Sequence, residues 1–182
     1  MHNNKFIIIY NYLFLRCILM KAIDVAKYLI TINEQKNKDE NNSLSKLKLQ
    51  KLLYYSQGYY SALYDKPLFN EEIRAWEHGP VVKEVYDYFK NLGDNAISAN
   101  KENTLSEQEL ANLSLEEKET ISEVYELMGQ YSAWKLREKT HNESPWLETY
   151  DEKYKTDEQK NIISKEKIKK YFKNYIEEDE EI

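Results

Sequence analysis

The chain contains very few of the residues that tight turns require. It has only four glycines and three prolines among 182 residues, whereas an average protein of any length contains about 7% glycine and about 5% proline. Folds built from many short strands use these residues at their turns, because glycine and proline adopt the backbone angles that turns need. The sequence therefore predicts a mainly α-helical protein rather than a turn-rich β fold.

Apolar residues recur every three or four positions along most of the chain, which is the period of a helix with one buried face. Proline at a first helical position and the capping pair Ser114 and Glu117 mark further helix starts. The predicted helices begin near Ala22, Ser45, Gly79, Ser114, Ser132, Ser144 and Ser164. We expect a mainly α fold, a single compact helical domain of six or seven helices with at most one short strand or β-hairpin, the strand lying at Glu72–Trp76.

The first nineteen residues differ from the rest, because Phe6–Leu19 is the one strongly apolar run. A membrane span needs about 20 apolar residues, and Arg16 interrupts this shorter run. A secretory signal needs a small-residue cleavage site, and none follows before Lys21. We therefore expect residues 1–19 to be a non-native or disordered leader with Met20 as the natural start. Residues 20–176 then form the domain, and residues 177–182 form an acidic tail.

Charge and cysteine content narrow the possible functions. The net charge of −6 comes mostly from the acidic residues at 177–181, and no dense patch of lysine and arginine supports nucleic-acid binding. Lys46, Lys48 and Lys51 lie opposite an apolar stripe, which predicts a solvated helix face. A single cysteine, Cys17, excludes an internal disulfide and fits a reducing, cytoplasmic compartment.

Two short clusters each contain a histidine, a tryptophan and a proline. In the first, Trp76-Glu77-His78-Gly79-Pro80, the free N–H groups of a helix start could hold an anion or a partner carboxylate. The alternative is that glycine and proline only shape the turn. The second cluster, Thr140–Trp146, is similar in kind, so His78 and His141 could meet in one groove. A histidine-dependent hydrolase is the enzymatic alternative, although no nucleophile motif or metal-ligand spacing accompanies them. We expect no enzyme activity, no cofactor and no metal.

Three segments taken together resemble a known family. They are LSKLKLQKLLYYSQGYY at 44–60, LFNEEIRAWEHGPVVKEVY at 68–86 and YSAWKLREKTHNESPW at 131–146. In this order they are similar to the Panacea domain, also called the GepA-like domain, which is common in prophages and mobile elements. The resemblance runs from about residue 20 to residue 176.

The resemblance implies an antitoxin of a toxin–antitoxin system that neutralises a cognate toxin, encoded by the adjacent gene, by direct protein binding. One branch of the family acts as an adaptor that delivers its toxin to a ClpXP-type protease. A prophage-encoded interaction or regulatory protein is the alternative, and no membrane role is implied. The candidate partner-binding or motif residues are Lys48, Gln50, Tyr54, Tyr55, Gln57, Gly58, Trp76, His78, Gly79, Pro80, His141, Pro145 and Trp146.

Overall fold

The computed structural model of the protein describes residues 20–36, 44–92, 97–154 and 160–179. The predicted leader, 1–19, lies outside these ranges, as do residues 180–182 of the predicted acidic tail. Eight α-helices and one three-stranded sheet lie within the described residues. In chain order they are α1 (Ala22–Lys36), α2 (Lys46–Tyr64), β1 (Ile73–Trp76), β2 (Gly79–Val82), α3 (Lys83–Phe89), α4 (Glu107–Asn112), α5 (Leu115–Met128), α6 (Ala133–His141), α7 (Ser144–Leu147), β3 (Ile162–Ile163) and α8 (Lys165–Asp179).

The expectation of a mainly α protein is correct, but the expected count of six or seven helices is wrong. The additional helix is α4, which follows a capping box in which Ser106 and Glu109 bond each other's backbone N–H groups. The same device starts α5 at Ser114 and Glu117, as the sequence predicted. Because α4 has no buried residue, no apolar stripe marks it in the sequence.

The expectation of at most one strand or hairpin is also wrong. The strand order is β2-β1-β3, and both pairs are antiparallel. Strand β3 consists of only Ile162 and Ile163, which pair with Arg74 and Ile73. A two-residue strand is too short to show alternation, and its partner lies far away in the chain. No local pattern could therefore reveal it.

The helix predicted from Gly79 instead starts at Lys83, because Gly79 and Pro80 belong to β2. Pro80 pairs with Ala75 of β1. The Pro80 carbonyl and the Val82 N–H both bond side chains of α2, so this edge of β2 faces α2 rather than β1. Proline fits this position because its missing N–H would point away from β1, and the ladder loses no hydrogen bond.

Helix α2 is the centre of the domain. Ser45 accepts a hydrogen bond from the Lys48 N–H at its start, and Asp65, with a φ of 56°, ends it. Of its 19 residues, 13 are buried, and α1, α5, α6, α8 and β2 all pack around it. A helix that is enclosed on all sides has no solvated face. The expectation that Lys48 and Lys51 lie on such a face is therefore wrong, since they are 3% and 0% exposed.

Helix α8 closes the domain over the middle of α2. Its Ile168 and Phe172 are buried in the core, and the Phe172 ring fills the space beside Gly58. A Cβ atom on Gly58 would lie 2.2 Å from Phe172 Cε2. The glycine therefore permits this close approach, which compensates for its low helix propensity. Within the described ranges, no helix combines the length and the hydropathy needed to cross a bilayer.

Candidate partner-binding site

Gln57 of α2 binds the backbone of the segment that precedes β1. Its Oε1 accepts hydrogen bonds from the N–H groups of Leu68 (3.0 Å) and Phe69 (3.1 Å), and its Nε2 donates to the Phe69 carbonyl (3.3 Å). The side chain is fully buried. Its carboxamide thus satisfies three backbone groups that water cannot reach, which is a structural role.

Gln50 and Lys51 bind the open edge of β2 in the same way. Gln50 Oε1 accepts from the Val82 N–H at 2.8 Å, and its Nε2 donates to the Val82 carbonyl at 3.4 Å. Lys51 Nζ donates to the Pro80 carbonyl at 2.9 Å. An unpaired edge exposes such groups to other chains, so these two side chains take the place of a fourth strand.

Burial gives Lys51 an unusual ionisation. Removal from water disfavours the ammonium form, and the nearby Arg137 guanidinium adds repulsion, so the pKa of Lys51 falls from 10.5 to about 7. Lys48 is buried as well, and desolvation lowers its pKa. Its Nζ donates to the Gly129 carbonyl at the end of α5, where helix carbonyls lack partners and a donor is favoured.

The turn between β1 and β2 lies against α2 and α6. Gly79 has a φ of 94°, which an L-residue with a side chain rarely adopts. A Cβ atom there would lie 2.8 Å from both Lys51 Cε and Thr140 Oγ1. Both the backbone angle and the lack of space therefore require glycine, and the turn is fixed in position against both helices.

The second cluster holds the same hairpin from the other side. Trp146 Nε1 donates to the Trp76 carbonyl at 2.9 Å, and the Trp146 ring stacks between His141 (3.7 Å between centroids) and Tyr150 (4.8 Å). Pro145 is buried in the first turn of α7. Desolvation, followed by the charges of Arg137, Lys51 and His78, lowers the pKa of His141 to about 4. His141 is thus a neutral stacking partner at neutral pH.

Tyr54 and Tyr55 lie on the part of α2 that faces α8 and the start of α7. The Tyr55 hydroxyl donates to Glu143 Oε1 at 2.7 Å. The Tyr54 hydroxyl faces the same carboxyl group, but it makes no hydrogen bond of standard geometry. Both rings pack edge to face on Phe172. Like Gly58, these two residues are buried in the core.

Of the candidate residues, His78 is exposed and Trp76 is half-buried, and three neighbours join them in one surface group. We call this group the hairpin surface, and it consists of Trp76, His78, Tyr86, Trp134 and Arg137. The Trp76 and Tyr86 rings meet edge to face at 4.9 Å, and the His78 and Trp134 rings do so at 6.1 Å. Arg137 Nε donates to His78 Nδ1 at 3.4 Å, and its guanidinium lies 5.6 Å from the Trp134 ring.

The hairpin surface has the composition of a protein-binding hot spot. Trp134 is 64% exposed and Tyr86 is 40% exposed, although burying a large aromatic side chain is strongly favourable. Tryptophan, tyrosine and arginine are the residues that most often dominate binding energy at protein interfaces. The contacts among the five residues restrict their side chains, which reduces the entropy lost on binding.

The sequence prediction omitted Trp134, Arg137 and Tyr86 from the candidate residues. Trp134 and the buried Leu136 are two positions apart on α6, and such residues do not share a helix face. This spacing was an available signal that one of them lies outside the core. Tyr86 directly follows the buried Val85 on α3, and adjacent residues point in different directions on a helix.

Among the described residues, no group of three or more His, Cys, Asp or Glu side chains could hold a metal ion. The comparison with protein families gives a positive result. Residues 49–147, more than half of the chain, match the family model described as Antitoxin SocA-like, Panacea domain. The chain belongs to this family.

The matched range covers most of the central helix, the hairpin and both histidine–tryptophan clusters of this Panacea domain, whereas α8 lies beyond it. No protein of curated function and no solved structure is significantly similar to the chain. The family assignment indicates a role of the toxin–antitoxin type and a toxin as the general kind of partner. It also favours a binding protein over an enzyme.

Proposed function

We propose that this Panacea-domain protein is the antitoxin of a toxin–antitoxin pair and that it neutralises its toxin by binding it through the hairpin surface. Membership of an antitoxin family supports the kind of partner. The observation that supports the binding face is the exposure of Trp134 on α6, which contacts His78 at the turn of the hairpin and Arg137 on its own helix. Among these residues, burial of the Trp134 side chain against a partner should contribute the most binding free energy.

The buried motif residues support this assignment indirectly. Gln50, Lys51 and Gly79 hold the hairpin to the central helix, and Trp146 holds it from the opposite side. A surface held by this many contacts loses little freedom on binding. We therefore assign the shared motif to the support of the interface and the exposed residues around it to the contact with the toxin.

Co-expression with the product of the adjacent gene tests the proposal. Growth should stop when that product is expressed alone and should recover when this protein is present. The Trp134→Ala variant should fail to restore growth, because it removes the exposed ring without disturbing the core. Leu115→Ala is the matched control. Leu115 is also exposed, at 68%, but it lies at the start of α5, whereas Trp134 lies beyond the end of that helix. Full rescue by Trp134→Ala would refute the binding face, and a harmless neighbour would refute the antitoxin role.

Toxin abundance distinguishes neutralisation by binding alone from delivery to a ClpXP-type protease. We propose neutralisation by binding, in which the toxin remains at a constant level while its activity is lost. A fall in toxin abundance that depends on the protease would instead support the adaptor role.

We also propose that the protein is not a hydrolase. His141 is stacked and neutral, and its Nε2 is buried without a hydrogen-bond partner among the described residues. A general base needs a proton within hydrogen-bond reach. His141 lies outside the hairpin surface, so replacing it by phenylalanine should preserve toxin binding and toxin neutralisation. Complete loss of function with retained binding would favour catalysis.

A further inference from the structure

A pocket lies between α2, α8 and the junction of α6 and α7, apart from the hairpin surface. It encloses about 250 Å³. Its aromatic walls come from α2 and α8, and they are formed by Tyr55, Tyr59, Tyr171, Phe172 and Tyr175. The Tyr59 ring lies 5.1 Å from Phe172 and meets Tyr175 at 89°. Rings set at steep angles to one another form the walls of a cage rather than a flat stack.

One carboxyl group belongs to the lining of this cage. Glu143 is only 8% exposed, and its Oε1 accepts a hydrogen bond from Tyr55. Its Oε2 is buried and makes no hydrogen bond of standard geometry, although the Tyr54 hydroxyl faces the same carboxyl group. Burial disfavours an ionised carboxylate, and a positive charge close to it offsets this cost. Lys139 also lines the pocket, but its Nζ lies 5.5 Å from the centre of the Tyr131 ring.

The faces of aromatic rings and a carboxylate group both attract a positive charge. Cations bind over the faces of tyrosine and phenylalanine rings, and aromatic cages recognise ammonium groups in this way. The volume limits the size of the occupant, since pockets for drug-sized molecules enclose about 300–1,000 Å³. A pocket of about 250 Å³ suits one side chain.

We infer that this pocket, with Glu143 in its wall, binds a cationic side chain, lysine or arginine, that a partner protein inserts into it. The identification of that partner as the toxin rests on the proposed function. The binding chemistry does not, because it depends only on the aromatic rings and the carboxylate.

The ionisation of Glu143 makes this binding depend on pH. Burial raises the pKa of Glu143 to about 7, and the hydrogen bond from Tyr55, the facing Tyr54 hydroxyl and the charge of Lys139 oppose that rise. Tyr171 and Tyr175 face the pocket from α8. Burial holds the pKa values of Tyr54 and Tyr55 well above 10, so neither of these two ionises near neutral pH. A cation prefers the carboxylate, so affinity should increase as the pH rises through about 7.

Three capped amino acids test the inference on the full chain, in the absence of any toxin. They are the N-acetyl methylamides of lysine, arginine and norleucine, and their binding is measured by calorimetry or by NMR shifts of the pocket residues. At least one cationic probe should bind about tenfold or more tightly than the neutral norleucine probe. That preference should weaken below about pH 6, where most of the Glu143 carboxyl is protonated.

Glu143→Gln is the deciding variant, because it removes the charge and retains the shape and an acceptor for Tyr55. It should abolish the preference for cations over norleucine, while its thermal unfolding shows that the domain remains folded. Trp134→Ala, on the hairpin surface, is the control and should bind the probes like the wild type. Equal binding of all three probes to the wild type, or an unchanged preference in Glu143→Gln, would overturn the inference.

Butylammonium, which has no peptide backbone, distinguishes binding of a partner's side chain from binding of a small free amine. If butylammonium binds but neither capped cation does, the pocket admits only small amines and the proposed occupant is wrong. The toxin experiments are independent of these measurements. Probe binding without toxin neutralisation would overturn the proposed function alone, and neutralisation without probe binding would overturn only the pocket.

Discussion

Lys51 allows the central packing to be tested through the pH dependence of stability. Its side chain is 0% exposed, its Nζ donates to the Pro80 carbonyl, and burial together with Arg137 lowers its pKa from 10.5 to about 7. In the unfolded chain the group titrates near 10.4. Between these values the unfolded state therefore binds more protons than the folded state. The free energy of unfolding must then rise with pH. Below about pH 7 Lys51 is protonated in both states, so the destabilisation caused by its burial no longer changes.

The size of the effect follows from the two pKa values. Each pH unit within the window changes the free energy of unfolding by up to about 1.4 kcal/mol, and the slope flattens near both ends. Between about pH 7 and about pH 9.5, Lys51 should contribute about 3 kcal/mol of increasing stability. The Lys51→Met variant lacks the titrating group, so its free energy of unfolding should lack this increase.

Chemical denaturation of the wild type and of Lys51→Met across this pH range measures the difference directly. Lys135→Met is the control, because Lys135 lies exposed on α6, and its difference from the wild type should stay nearly constant. A constant difference for Lys51→Met as well would refute the reasoning. It would mean that Lys51 retains an ordinary pKa and that α2 is not enclosed as described.

Three further variants test other contacts by the same denaturation assay. Gly58→Ala should destabilise the domain by about 1–3 kcal/mol through overpacking, and Phe172→Leu in the same chain should recover part of this loss; strictly additive effects would contradict the contact. Gln57→Leu leaves two buried N–H groups unpaired and should cost about 2 kcal/mol or more, whereas Gln130→Leu, at an exposed glutamine, should change little. The pKa of His141 is lowered from 6.5 to about 4, so between these values the unfolded chain binds the proton while folded His141 stays neutral, and the free energy of unfolding falls with the pH; His141→Phe should reduce that fall, and an identical acid profile would show that His141 does not titrate as described.

Local signals in the sequence predicted helix starts well where the stabilising contact joins residues that are close together in the sequence. Ser114 and Glu117 start α5 because each bonds the other's backbone within one turn, and no distant residue is needed. Ser106 and Glu109 have the same spacing, and the polar composition around them concealed α4. That helix could have been predicted from its capping box alone.

Features that depend on distant partners could not be predicted from local patterns. Lys48 is buried because its Nζ reaches a carbonyl 81 positions away, and Lys51 because its Nζ reaches one 29 positions away. On a helix diagram both lysines belong to the polar side. Strand β3 exists only because β1 offers it an edge. In each case tertiary contacts determine whether the lysine is buried or the strand forms, and the local secondary-structure propensity has little influence.

The candidate site shows the same division. The candidate residues from the sequence motif lie in α2, in the hairpin and around Trp146, and most of them are buried, such as Gln50 and Gly79. Trp134, which is exposed, and Arg137, which is half-buried, lie on α6 and were not among the candidate residues. Their position beside His78 becomes visible only when the hairpin and α6 are brought together.

The affinity of the purified protein for the purified product of the adjacent gene, the proposed toxin, is the most direct test of the central claim. Calorimetry should show a tight complex for the wild type and for Leu115→Ala. Trp134→Ala should weaken it by about 30-fold or more, the range expected for a hot-spot tryptophan, with an unchanged thermal unfolding transition. Equal affinities for the wild type and Trp134→Ala, or the absence of a complex, would contradict the claim that this protein neutralises a toxin through its hairpin surface.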